Sequence, residues 1–152
     1  MTRAQLKRQI FMRIAIDLSE LSTCDRKRVG AVMVRDGRCI SWGFNGAAPG
    51  MPHCEENNHG WGNVDESAGV GLDTYGCRNA MHAEANALAF AAREGISTDD
   101  CDLYVTVSPC KVCAHLLIAA GVHAVFYHEE YRDHSGMVLL DKADVGCYPL
   151  PV

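Results

Sequence analysis

The sequence predicts an α/β domain with three layers, α/β/α, around a central mixed sheet of about five strands. Three observations carry this expectation. Apolar residues recur at helical spacing near the N-terminus, and β-rich runs alternate with helical segments after it. An Asp-Gly pair separates the first two β-rich runs. The resulting order is α-β-β-α-β-α-β, with a shorter helix and strand to close.

Taken in turn, Leu6, Ile10, Ile14 and Leu18 lie at helical spacing, and Met12, Ala15 and Ile16 widen the face. A first helix is expected over residues 3–21. Residues 29–34 and 39–44 read as strands joined through Arg35-Asp36-Gly37-Arg38, a hairpin signal. Residues 45–76 are rich in Gly, Asn, Pro and His and poor in aliphatics, which reads as a long loop. Loops of that length inside compact domains usually carry function. Residues 80–93 are Ala-rich and helical, with Gly95 as the cap beyond. A strand is expected over 103–107, then a helix opened by Pro109, running to Ala120 and ended by Gly121. Residues 122–127 read as a strand, 128–133 as a charged loop, 137–142 as a short helix and 145–150 as a last strand.

A chain of 152 residues fits one domain, 1–152, that buries roughly two-thirds of its unfolded surface. The formal charge of −5 argues against an electrostatic grip on polynucleotide, so no nucleic-acid partner is expected. The first residues mix Arg3, Lys7, Arg8 and Arg13 with apolar residues, unlike a signal peptide, and no stretch is long enough to span a membrane. The expectation is a cytoplasmic protein with no membrane partner. Eight cysteines without an export signal point to metal rather than disulfides. Cys39, Cys101 and Cys147 sit in or beside apolar runs and are expected to be small buried residues without special chemistry.

The chemistry is concentrated in His82-Ala83-Glu84 and Pro109-Cys110-Lys111-Val112-Cys113. Together they form the H-x-E…P-C-x-x-C pattern of zinc nucleobase deaminases. His82, Cys110 and Cys113 supply three zinc ligands and leave a fourth tetrahedral position for water. Both pairs are expected in the first turns of helices, whose N-termini favour thiolates. Two thiolates cancel the formal charge of zinc, so the water there is less acidic than in a three-histidine site and needs a base beside it. Glu84 is the carboxylate this spacing supplies. A purely structural zinc is the competing reading, but it would call for a fourth protein ligand and gives Glu84 no task.

Four segments carry a resemblance to the deoxycytidylate (dCMP) deaminase family, within the cytidine deaminase superfamily. They are Ser22 through Val32, Gly43 through Cys54, the His82 segment with Asn86-Ala87, and Ser108 through Cys113. The second, with its Asn45-Gly46 and Pro49-Gly50, is the discriminating one. The resemblance implies a cytidine-deaminase-like fold and zinc-dependent conversion of dCMP to dUMP. It also implies Asn45 at the sugar, and substrate contacts from Ser22, Arg26, Ala83, Ser108 and Tyr131. Asn45 can equally be a turn former before Gly46, and Arg26 and Arg132 can be solvated surface charges.

The same resemblance implies a second, structural zinc at Cys24, Cys54, His59 and Cys77, with His53 as substitute; the bland reading is free cysteines and a solvated histidine. It further implies a homo-oligomer (hexamer) activated by dCTP and inhibited by dTTP with magnesium (Mg2+). Lys27, Arg28, Gly46 and Gly50 are candidate triphosphate contacts, against the simpler reading of a hairpin flank. Rival functions are deamination of cytidine, deoxycytidine or a tRNA adenosine, and a non-catalytic zinc-stabilised nucleotide sensor. The acidic charge disfavours the tRNA substrate, and Glu84 disfavours the sensor.

Overall fold

The computed structural model describes residues 1–56 and 77–152. Helix α1 (Arg3–Ser19) opens on a capping box. Thr2 Oγ1 accepts the Gln5 N–H at 3.2 Å, and the Gln5 side chain accepts the Thr2 N–H at 2.7 Å. Strands β1 (Gly30–Arg35) and β2 (Arg38–Phe44) form the expected hairpin. Asp36 and Gly37 turn it with φ of 52° and 71°, the paired positive values of a type I′ turn. Then follow α2 (Ala83–Arg93), β3 (Asp102–Val107), α3 (Lys111–Ala119), β4 (Ala124–Glu129), α4 (Ser135–Lys142) and β5 (Gly146–Pro149).

The five strands make one mixed sheet in the order β2-β1-β3-β4-β5. β1 runs antiparallel to β2 and β3, while β3, β4 and β5 are parallel. Alternation along the strands divides the interior into two cores. Val32, Val34, Tyr104, Ala124 and Phe126 meet Met12 and Ala15 of α1 on one face. Ala31, Met33, Leu103, Val105, Val125 and Tyr127 meet α2, α3 and α4 on the other. The result is the three-layer α/β/α arrangement the sequence predicts.

The buried side of α1 follows the expected face in part, with Ile14, Ile16 and Leu18 half-buried against the core. Met12, Ala15 and Ser19 are buried, whereas Leu6 and Ile10 stay 43% and 40% exposed. The helix is apolar at so many positions that its period alone does not single out a face. Gly30 settles the packing: a Cβ there would collide with the Ala15 carbonyl, so the helix backbone lies directly on β1. Cys101 is buried as expected and Cys147 is half-buried, but Cys39 is exposed, because it stands on edge strand β2.

This topology gathers the functional segments at one edge of the sheet. Parallel β3 and β4 end there, at Val107 and Glu129. Antiparallel β1 begins there, with Gly30 N–H donating to Thr106 Oγ1 at 3.2 Å. β2 ends there too, since Phe44 pairs with Gly30. Ligand sites of α/β sheets favour the carboxyl ends of parallel strands. No helix among the described residues is long and apolar enough to cross a membrane.

Candidate metal and substrate site

The helices carrying the motif begin later than sequence predicts, and the delay has a structural cause. His82 and Cys110 are themselves the N-caps of α2 and α3, both in extended backbone conformation. A side chain at an N-cap points back over the free N–H groups of the first turn. Cys110 Sγ accepts the Cys113 N–H at 3.5 Å in that way. Gly136 at the start of α4 leaves room for the 109–110 backbone, where a Cβ would clash with the Pro109 carbonyl.

His82 Nδ1 lies 3.5 Å from Cys110 Sγ and 3.4 Å from Cys113 Sγ, so two helix N-termini bring three donor atoms around one point. Every donor atom of this trio is within 4.8 Å of the others. Hydrogen bonding from the Cys113 thiol, helped by His82, pulls the Cys110 thiol down to about 4. The same pairing, with burial, pushes Cys113 up. The two neighbouring sulfurs oppose each other's ionisation, and a dication is what would let both be thiolates. An imidazole and two sulfurs at this spacing suit zinc in chemistry and in number. Glu84 is buried, and removal from water pushes its carboxyl above the ordinary range.

The trio opens on a cavity of about 450 Å³. Arg26, Asn45, Ala83, Ser108 and Tyr131 line it together with His82, Glu84 and Cys110. Ser108 Oγ accepts the Tyr131 N–H at 2.7 Å, which ties the loop after β4 to the loop after β3. Ser22 lies outside the lining; its hydroxyl donates to the Asn45 carbonyl at 2.7 Å. Lys27 lines the cavity and pairs with Glu129 at 3.0 Å, while Arg28 turns away to Glu20 at 3.0 Å. Gly46 bridges to Met81 and is packed against Thr23, and Gly50 takes a positive φ of 81°.

Sequence reasoning missed the apolar walls Val29, Ala80 and Val107, and Glu130 at the mouth. No motif marks them; only the strand ends bring them together. A larger open groove of about 970 Å³ lies at the opposite edge of the sheet, lined by Asp102, His123 and Tyr148, and contains neither metal-ligating cluster.

Cys24, Cys54 and Cys77 form a second group with sulfurs within 4.8 Å of one another. Burial raises Cys24 and pushes Cys54 up to about 12. Three thiolates could share that space only around a cation, so the donor set fits zinc. His59 lies outside the described residues. His53 is exposed and does not join the group. Cys24 and Cys77 also line the cavity, so the two clusters flank it.

Fold and site together define an α/β/α metal-binding domain with a carboxyl group poised beside the metal position. The chain belongs to the cytidine and deoxycytidylate deaminase family, whose zinc-binding region matches residues 6–129. It is 38% identical over 126 residues to ComE operon protein 2 of Bacillus subtilis, covering 83% of this chain and 61% of that protein. To the deoxycytidylate deaminase of Schizosaccharomyces pombe it is 37% identical over 136 residues, covering 89% and 41% respectively. The chain thus spans about half the length of these two relatives. The crystal structure of dCMP deaminase from cyanophage S-TIM5, in complex with dCMP and dUMP, matches with a TM-score of 0.78. Its sequence is 28% identical, and the match covers 99% of both chains.

Proposed function

We propose that the protein hydrolyses dCMP to dUMP and ammonia. The observation that carries this is the shared cavity: Glu84 and the His82-Cys110-Cys113 trio open on the same space as Arg26 and Tyr131. Kinship with the cyanophage enzyme, solved with dCMP and dUMP, supports the substrate. His82, Cys110 and Cys113 are the residues that would hold zinc, which supplies Lewis-acid activation of water there. Glu84 takes the proton of the attacking water as oxygen bonds to the amino-bearing ring carbon, and passes it to the adjacent ring nitrogen. Glu84 then takes the proton of the new hydroxyl on that carbon and delivers it to the amine, so that the C–N bond breaks, the carbonyl forms and ammonia leaves. Its burial keeps that proton exchange out of bulk solvent.

Arg26 and Tyr131 are assigned to the phosphate and Asn45 to the sugar. The Asn45 amide already bonds backbone, but each end has capacity for one more hydrogen bond. Ser108 and Ala83 flank the base, and Ser22 acts through the Asn45 carbonyl it holds. A second zinc at Cys24, Cys54 and Cys77, with His59 as the fourth ligand the resemblance implies, would tie Cys54 and Cys77 to the segment before β1. The proposal extends to a cytoplasmic homo-oligomer (hexamer) activated by dCTP and inhibited by dTTP with magnesium. Sigmoidal dCMP kinetics made hyperbolic by dCTP is the expected signature, and hyperbolic kinetics unmoved by either nucleotide would remove the regulation.

The central test offers dCMP, deoxycytidine and CMP side by side, following loss of the aminopyrimidine absorbance, with Glu84→Ala as control. Turnover is expected for dCMP. Its absence in the wild type would defeat the reading.

A further inference from the structure

We propose that Lys27 makes the cavity selective for a phosphorylated substrate, and that Glu129 is its resident counterion, displaced when the phosphate binds. This rests on the nucleotide deaminase reading and adds a specificity residue to it. Sequence alone points Lys27 toward a regulatory triphosphate. Its position argues otherwise, since it lines the same cavity as His82 and Glu84.

Three features support the assignment. The Lys27 backbone is fixed, because Asn45 Nδ2 donates to its carbonyl at 2.6 Å and the Val29 N–H two residues on donates to Asn45 Oδ1 at 2.7 Å. The ammonium therefore swings from a stationary base and needs only side-chain rotation to face the cavity. Secondly, its present partner is weakly held. Lys27 Nζ and Glu129 Oε2 are 3.0 Å apart, but the two side chains are 59% and 56% exposed, so water screens the pair. A phosphate monoester brings nearly two charges and three acceptor oxygens, and outcompetes a lone solvated carboxylate. Thirdly, Lys27 is one of three cationic residues lining the cavity, with Arg26 and Arg132, in a chain whose net charge is −5. Against them the lining sets two carboxyls, Glu84 beside the metal-ligating group and Glu130, so the cations lead three to two, and a lysine serves phosphate as a mobile point charge.

Exchange of counterion has a signature that a structural ion pair lacks. Removing Lys27 removes attraction for the phosphate, whereas removing the Glu129 charge removes its competitor. Lys27→Ala is expected to raise KM for dCMP about tenfold with little change in kcat, and to leave KM for deoxycytidine unmoved. Lys27→Arg keeps the charge and most of the wild-type KM. Glu129→Gln is expected to lower KM for dCMP about twofold. Were the pair only a strap between two loops, both neutral variants would shift KM in the same direction and on both substrates. That result, or an unchanged KM in Lys27→Ala, overturns the inference alone. A wild type that fails to turn over dCMP removes the deaminase reading and this inference with it.

Discussion

Asn45 Oδ1 accepts the Val29 N–H at 2.7 Å while Asn45 Nδ2 donates to the Lys27 carbonyl, so one buried amide clasps the segment that leads into β1. Those backbone groups sit between a helix and the sheet edge, where neither belongs to a ladder. Asn45→Ala strips both of partners and is expected to destabilise the fold by about 2 kcal/mol, read from urea unfolding. It should also raise KM for dCMP, since Arg26 and Lys27 ride on that segment. An unchanged unfolding midpoint would remove the clasp.

Glu84 is 4% exposed and stands two residues after His82, yet it is outside the donor trio. Proton transfer and metal binding should therefore separate. Glu84→Gln keeps shape and removes the ionisable group, and kcat is expected to fall roughly 10²- to 10⁴-fold. Zinc content should remain at the wild-type level. Parallel loss of zinc and activity would make Glu84 part of the metal site instead.

The two halves of the donor trio and the β1–β2 hairpin were legible in the sequence because each is local. C-x-x-C at a helix start needs only helical geometry, and Asp36-Gly37 needs only turn chemistry. What escaped depends on chain segments far apart in sequence. Leu6 and Ile10 have the right period for a core face, but Gly30 seats the helix on Ala15 instead. Cys39 sits in an apolar run, yet the sheet order leaves its strand at an edge. The Lys27–Glu129 pair joins residues that no spacing relates. Cys24, Cys54 and Cys77 show the boundary: resemblance implies their association, while spacing alone does not.

Gly43 offers a test of how α2 is placed. A Cβ built there lies 2.6 Å from both the Ala83 carbonyl oxygen and the Ala87 nitrogen, so helix backbone rests on β2 with no room between them. Backbone cannot move aside as a flexible side chain can. Gly43→Ala is expected to cost about 2 kcal/mol in stability. The first turn of α2 carries His82 and Glu84, so kcat should fall as well. Wild-type thermal stability and kcat together would mean the helix shifts freely.

The two cysteine clusters should respond differently to loss of one ligand. His82 and Cys110 are helix N-caps and Cys113 lies in the first turn of α3, all held in place by the packed layers. Cys110→Ser is therefore expected to remove one zinc and activity while leaving most of the fold's stability. Cys24, Cys54 and Cys77 join three segments far apart in sequence, the one before β1 and those on either side of residues 57–76, which lie outside the described residues. Metal there offsets the entropy of bringing those distant segments together. Wild type should carry two zinc ions per chain, and Cys54→Ser about one, with unfolding stability lowered by at least about 3 kcal/mol. Metal analysis and thermal unfolding of the same preparations decide it. One zinc in the wild type, with Cys54→Ser unchanged in metal and in stability, would leave the three cysteines as plain thiols, because a cation cross-linking three segments cannot be lost without consequence.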